Sequence, residues 1–257
     1  MKTNKLGFIG GGRITRIMLK AFKNKSVKFD SIVIYDTNQD VVSKLKEQFP
    51  DITITDSIVE CANQDWIILA VHPPMMVETL KNITHAIATE SLVISLAPKI
   101  SIDKMAEFLP TRKIIRLIPN ATSYINQGYN PIAFHSSFTH EEKIEVIQIF
   151  QALGQTFEVP EHKLEGYAIV SAMLPTYFWF QWSKMEEIAE KTGLTRAEAT
   201  DTVYNTIRYA DDLFFKSGMS HEDVMDLIPV KPIGEKEEEI NEIYDSKLLG
   251  LFEKIKP

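Results

Sequence analysis

The sequence is poor in cysteine, in clustered basic residues and in long apolar runs, and each shortage narrows what the chain can be. Cys61 is its one cysteine, so no internal disulfide forms and the fold does not depend on an oxidising compartment. A small buried filler is the expected role for that thiol. No block of Lys and Arg interrupts a chain whose formal net charge is −7. A nucleic-acid surface needs clustered cations to displace counterions, so no nucleic-acid partner is expected. The longest apolar run, 66–71, is far short of the roughly 20 residues that cross a bilayer. Near the N-terminus a glycine triplet and Arg13 break the apolar run before a signal sequence can form. The expected location is therefore cytoplasmic, with no membrane partner, and no metal site is expected.

What the chain does contain is ordinary globular material, 44% hydrophobic and 25% charged over 257 residues. That length suits two domains, each with a core of its own. Over the first part, short β-branched runs alternate with helical spacing. Strands are expected at 6–9, 31–35, 52–54, 66–71, 92–96 and 113–117, with helices between them. The run at 66–71 has no polar alternation, as in a strand covered on both faces. Such alternation implies an α/β fold with a doubly wound, mostly parallel sheet. Thr139 and Glu142 form a capping box that opens a helix, and a last short strand is expected at 155–159. From residue 163 only helices are read, one of them opened by a second capping box at Thr195 and Glu198. The expected domains are thus 1–160, the sheet, and 161–257, all helical.

The segment Gly10-Gly11-Gly12-Arg13-Ile14-Thr15 lies between the first strand and the first helix. It nearly fills the dinucleotide-binding pattern of a Rossmann-type fold. The first glycine allows the tight turn, the second lets a pyrophosphate approach the backbone, and the third place wants a small residue. Thr15 departs from that last requirement. Arg13 at the helix start is read as a pyrophosphate partner, with a solvated arginine as the alternative. Asp36 ends the second strand, where a carboxylate accepts bonds from ribose hydroxyls and opposes a 2′-phosphate. Asp36 and the adjoining Thr37 therefore point to NAD or NADP as cofactor, with NAD favoured. The alternative is that Asp36 only caps the next helix.

Ligands in such sheets lie at the carboxyl ends of the strands. That places Ala70, Val71, His72, Pro73 and Ala97 along the cofactor's path. His72 is a candidate general acid toward a carbonyl or imine, or else a side chain that merely packs on the cofactor.

These residues resemble the pyrroline-5-carboxylate reductase family. The family's Gly-Phe-Ile-Gly-x-Gly-Asn-Met stands here as Gly7-Phe8-Ile9-Gly10-Gly11-Gly12-Arg13-Ile14. Its Leu-Ala-Val-Lys-Pro stands as Leu69-Ala70-Val71-His72-Pro73. Its Ser-x-Ala-Ala-Gly-Ile-Ser stands as Ser95-Leu96-Ala97-Pro98-Lys99-Ile100-Ser101. Its Arg-x-Met-Pro-Asn-Thr stands as Arg116-Leu117-Ile118-Pro119-Asn120-Ala121. The resemblance implies a second, helical domain that makes a homodimer, a cofactor contact at Ser57, and Asn120 as the best polar candidate beside a substrate. The second half departs from the pattern. The family's substrate-holding Gly-Ser-Gly-Pro-Ala-Tyr is here Ala172-Met173-Leu174-Pro175-Thr176-Tyr177, and its Pro-Gly-Gly-Thr-Thr is missing around residues 228–234.

The expected function is hydride transfer by an NAD(P)-dependent oxidoreductase, to or from a C=N or C=O carbon of a small molecule. Pyrroline-5-carboxylate reduction itself and a non-catalytic dinucleotide sensor are the alternatives.

Overall fold

The β-branched runs form the strands and the amphipathic segments cover them. In order these are β1 (Lys5–Ile9), α1 (Arg13–Asn24), β2 (Ser31–Tyr35), α2 (Gln39–Gln48), β3 (Thr53–Ile54), α3 (Ile58–Ala62), β4 (Trp66–Leu69) and α4 (Met76–Ile83). They continue as β5 (Leu92–Ser95), α5 (Ile102–Ala106), β6 (Ile114–Leu117), β7 (Gly128–Phe134), α6 (His140–Phe150), β8 (Gly154–Glu158) and α7 (Leu164–Tyr167). The computed structural model describes residues 4–257. It divides the chain into one unit running to Met173 and regaining Leu251–Pro257, and a second unit, Leu174–Gly250.

The first unit holds an eight-stranded sheet in the order β3-β2-β1-β4-β5-β6-β7-β8. Strands β1 to β6 run parallel, β7 pairs antiparallel with β6, and β8 runs parallel to β7. Strand order reverses between β1 and β4, and such a switch point opens a crevice at the strand ends. Every residue of β4, β5 and β6 is buried, which explains runs with no polar alternation. On one face Phe22, Trp66 and Phe150 pack as a tilted aromatic cluster, with Trp66 and Phe150 centroids 6.0 Å apart. Truncating Phe150, fully buried there, costs about 3–5 kcal/mol on the scale of such substitutions.

Two features go beyond the sequence expectation. Strand β7 carries Gly128, Asn130 and Pro131, residues that signal turns rather than strands. It holds its place because Ile132 and Ala133 are buried and because the Pro131 carbonyl accepts the Ile118 N–H at 3.0 Å. The first unit also runs past residue 160. Arg116 of β6, fully buried, pairs through Nη1 with Glu161 Oε1 at 3.0 Å and through Nη2 with Glu165 Oε1. These ion pairs tie the segment after β8 to the sheet.

The second unit is helical throughout: α8 (Leu174–Lys191), α9 (Arg196–Lys216), α10 (His221–Asp226) and α11 (Glu237–Tyr244), before α12 (Gly250–Ile255) leads the chain back to the first unit. Both capping boxes form, Thr139 with Glu142 and Thr195 with Glu198. Helix α8 presents much of its aromatic run to solvent, Trp179 at 47% and Phe180 at 68% exposure.

Candidate functional site

The glycine loop is shaped by its neighbours. Gly10 has φ +107°, and a Cβ there would stand 2.5 Å from the Ala70 carbonyl oxygen. Only glycine satisfies both the left-handed backbone and that contact. Gly11 is buried against Leu45 and Val41 of α2, and its N–H donates to Asp36 Oδ2 at 2.7 Å. A Cβ on Gly12 would meet no atom within 4 Å, so this residue leaves open space at the head of α1. Thr15, fully buried, donates its hydroxyl to the Gly10 carbonyl at 2.6 Å. The departure from a small third residue thus becomes an extra tie across the loop.

Helix α1 begins at Gly12 with no side-chain cap and no acidic residue in its first turn. Its first N–H groups lack intrahelical acceptors and carry the positive end of the helix dipole. They form a ready site for a phosphate. Above them lies a cleft of about 630 Å³, within the range of small-ligand sites. One wall is Gly11, Gly12, Arg13 and Ile14, and the other comes from Ala70, Val71, His72 and Pro73 after β4 and from Leu96, Ala97 and Pro98 after β5. A third side belongs to Arg16 of α1 and to Val41, Lys44, Leu45 and Gln48 of α2. Open backbone at Gly12, uncapped N–H groups and unpaired cations together fit an anionic dinucleotide.

Nine of the residues singled out from the sequence therefore line one cleft: Gly11, Gly12, Arg13, Ile14, Ala70, Val71, His72, Pro73 and Ala97. Gly10 lies beneath them. Asp36 stands behind Gly11, and its second oxygen accepts the Asn38 N–H at 2.8 Å. Asn38, not Asp36, caps α2, accepting from the backbone of Asp40 and Val41. Among the described residues the His72 imidazole has no hydrogen-bond partner. Pro73 restricts the residue before it to extended backbone, as found at φ −64° and ψ 143°.

Thr37, Ser57 and Asn120 are not among the lining residues. Ser57 caps α3 by accepting the Glu60 N–H at 3.2 Å. Asn120 is 6% exposed and its carboxamide is already in use. Its Oδ1 accepts the Thr122 N–H and hydroxyl, both at 2.9 Å, and its Nδ2 donates to the Ser171 carbonyl at 2.7 Å. Cys61 is buried and donates to the Phe8 carbonyl at 3.1 Å; burial pushes its thiol up to about 12, so it offers no thiolate near neutrality.

Sequence reasoning passed over Arg16 and the α2 side of the cleft. The signal was there: Val41, Lys44, Leu45 and Gln48 follow the i, i+3, i+4, i+7 spacing of one helix face, and Arg16 lies one turn beyond Arg13.

Comparison with known proteins gives consistent findings. Residues 5–99 match the family model described as NADP oxidoreductase, coenzyme F420-dependent. The chain is 31% identical over 198 residues to the pyrroline-5-carboxylate reductase of Escherichia coli (strain K12), spanning 76% of this chain and 73% of that one. It is 24% identical over 254 residues to the enzyme of the same name from Methanosarcina acetivorans, spanning 98% and 94%. The crystal structure of Plasmodium falciparum pyrroline carboxylate reductase with NADP bound superposes with a TM-score of 0.78 at 21% identity, covering 99% of this chain and 96% of that one. That last likeness speaks for the fold.

Proposed function

The chain belongs to the pyrroline-5-carboxylate reductase family, and from that premise we propose that this NAD(P)-dependent oxidoreductase reduces the C=N carbon of a small cyclic imine. The observation that carries the reading is the cleft at the carboxyl ends of β1, β4 and β5, headed by an uncapped helix and walled by His72. A bound nicotinamide dinucleotide supplies the hydride. The protein's own part is binding, orientation and one proton. The Gly12 to Ile14 backbone and Arg13 hold the pyrophosphate. Ala70, Pro73 and Ala97 flank the nicotinamide with apolar surface that keeps water away. His72 gives the proton that the imine nitrogen gains as its carbon takes hydride.

The altered substrate motif favours a substrate other than the family's carboxylated imine. Ala172 and Leu174 put apolar side chains where the family has glycine, and Met173 replaces a serine hydroxyl, so an anion loses a donor and close approach to the backbone. The test is turnover of pyrroline-5-carboxylate, of cyclic imines without a carboxylate, of keto acids and of aldehydes, followed as loss of reduced-nicotinamide absorbance. Turnover of an uncharged imine above pyrroline-5-carboxylate is expected. Tight cofactor binding with no turnover across the set would leave the sensor reading in its place.

The exposed apolar side chains of the helical unit are best covered by a second copy of the chain. Trp179, Phe180, Phe215 and Val230 are each more than two-fifths exposed, beyond what a monomer usually leaves in water. Sedimentation equilibrium is expected to give a dimer, and a monomer at micromolar concentration would remove this part of the reading. At the ribose the reading favours NAD, because Asp36 ends β2 and a carboxylate there opposes a 2′-phosphate.

A further inference from the structure

We propose that a second hollow of the first unit, walled by Arg116, Glu161 and Glu165, binds a small organic cation, an ammonium compound.

The hollow measures about 430 Å³, and its lining includes Arg116, Glu161, His162, Glu165, Phe252 and Lys256. That size falls within the range of small-ligand sites. It shares no lining residue with the dinucleotide cleft, and all of its walls belong to the first unit. Strand β6 supplies Arg116, the segment after β8 supplies Glu161 and His162, α7 supplies Glu165 and α12 supplies Phe252. The α12 wall is held in place, because the Ile255 carbonyl accepts the Lys99 N–H at 3.1 Å and Ile255 itself is buried.

Charge is out of balance in this hollow. One guanidinium faces two carboxylates: Arg116 Nη1 donates to Glu161 Oε1 at 3.0 Å, and Nη2 donates to Glu165 Oε1. Glu161 Oε1 also accepts the Ile102 N–H at 2.8 Å. The second oxygen of each glutamate accepts no hydrogen bond among the described residues. The Arg116 and Glu165 side chains are 0% and 3% exposed, so water screens the excess negative charge poorly. A buried charge without a counter-charge is costly. Lys256 does not supply it, since its ammonium pairs with Glu253 at 2.6 Å and lies 4.5 Å from the Phe252 ring centroid.

Among the described residues no group of three or more His, Cys, Asp or Glu could hold a metal ion. An ammonium group suits the hollow instead. Its three N–H donors match the spare carboxylate oxygens, and the Phe252 ring attracts a cation carried on an apolar body. Arg116 Nε is buried with no hydrogen-bond partner, so an acceptor oxygen beside the ammonium meets a donor in want of one.

The test is calorimetric titration of the full chain with four compounds of similar shape. They are phenylalaninol, a cation with a hydroxyl; phenylalanine, a zwitterion; 3-phenylpropanol, which is neutral; and 3-phenylpropanoate, an anion. Sodium chloride at about 0.1 M keeps an alkali ion present throughout and screens weak surface attraction. Phenylalaninol is expected to bind at least about fivefold tighter than phenylalanine, and at least about tenfold tighter than the alcohol and the anion. Lys256→Met removes a competing cation and breaks only an exposed ion pair, so it is expected to tighten phenylalaninol about twofold. Glu161→Gln is expected to weaken phenylalaninol about fivefold or more, with the melting temperature recording what the change costs the fold. Added NADPH is expected to leave the affinity unchanged. No binding of phenylalaninol, equal affinity for all four compounds, tighter binding of the anion or weakening by Lys256→Met overturns the proposal. Competition with NADPH overturns it too, because it places the compound in the other cleft.

Discussion

The carboxylate of Asp36 accepts the backbone N–H of Gly11 at 2.7 Å, which ties the acidic end of β2 to the middle of the glycine loop. The residue read from sequence as a ribose contact is thus also a structural tie. Asp36→Ala is expected to do two things. It leaves the Gly11 N–H without its acceptor, which lowers stability by about 1–2 kcal/mol. It also removes the carboxylate at the end of β2 that opposes a 2′-phosphate, raising the ratio of NADPH to NADH affinity. Melting curves and paired titrations measure both. An unchanged ratio would show that Asp36 does not meet the ribose.

His72 separates proton transfer from packing. If the imidazole donates a proton to the imine nitrogen, His72→Phe is expected to lower kcat by about 10²–10⁴ while cofactor affinity changes little. A loss confined to KM for the cofactor would assign the ring to packing instead.

Much of the cofactor half can be read from sequence because its signals are local. The glycine spacing, the run at 66–71 and the two capping boxes each depend on residues within a turn or a strand of one another. What escaped depends on distant partners. Strand β7 is hidden by Pro131 and Gly128, and stands because β6 and β8 supply its ladder. Asn120 has the type and motif position of a substrate contact, yet Ser171 takes its amide, a partner no spacing rule reveals. Arg16 and Lys44 look like solvated charges until α1 and α2 are placed on either side of one cleft.

Lys99 stands where the resembled family has glycine, and its φ is +71°. A side chain in the left-handed region costs roughly 1 kcal/mol relative to glycine. Lys99→Gly is therefore expected to raise stability by up to about 1 kcal/mol in urea unfolding. The offset is the greater freedom of glycine in the unfolded chain. A clear loss of stability would mean that the lysine side chain makes a contact worth more than the strain.

The Arg116 ion pairs make a sharper demand. Arg116 is fully buried and Glu165 nearly so, and Arg116 Nε has no hydrogen-bond partner. Glu165→Gln removes the better-buried counter-charge and leaves Glu161, 29% exposed, to face the guanidinium. A cost of about 3–5 kcal/mol is expected, since the remaining charge stays desolvated. Replacing both partners with apolar residues, Arg116→Met with Glu165→Leu, should cost markedly less. Equal losses in the two variants would show that the pair's attraction, and not the orphaned charge, carries the effect.

Cys61 gives a pH dependence with a definite sign. Burial raises its thiol from 9.0 to about 12 in the folded protein, while the unfolded chain ionises at the ordinary value. Between those values the unfolded state has lost a proton that the folded state keeps. Each pH unit above about 9 therefore lowers stability by about 1.4 kcal/mol from this group alone, and nothing is lost below it. Cys61→Ala should remove that slope relative to wild type in denaturant titrations run at a series of alkaline pH values. The same burial predicts that a thiol reagent at pH 8 labels the chain only as fast as it unfolds. Rapid labelling of the native protein would place the thiol at the surface and contradict both expectations.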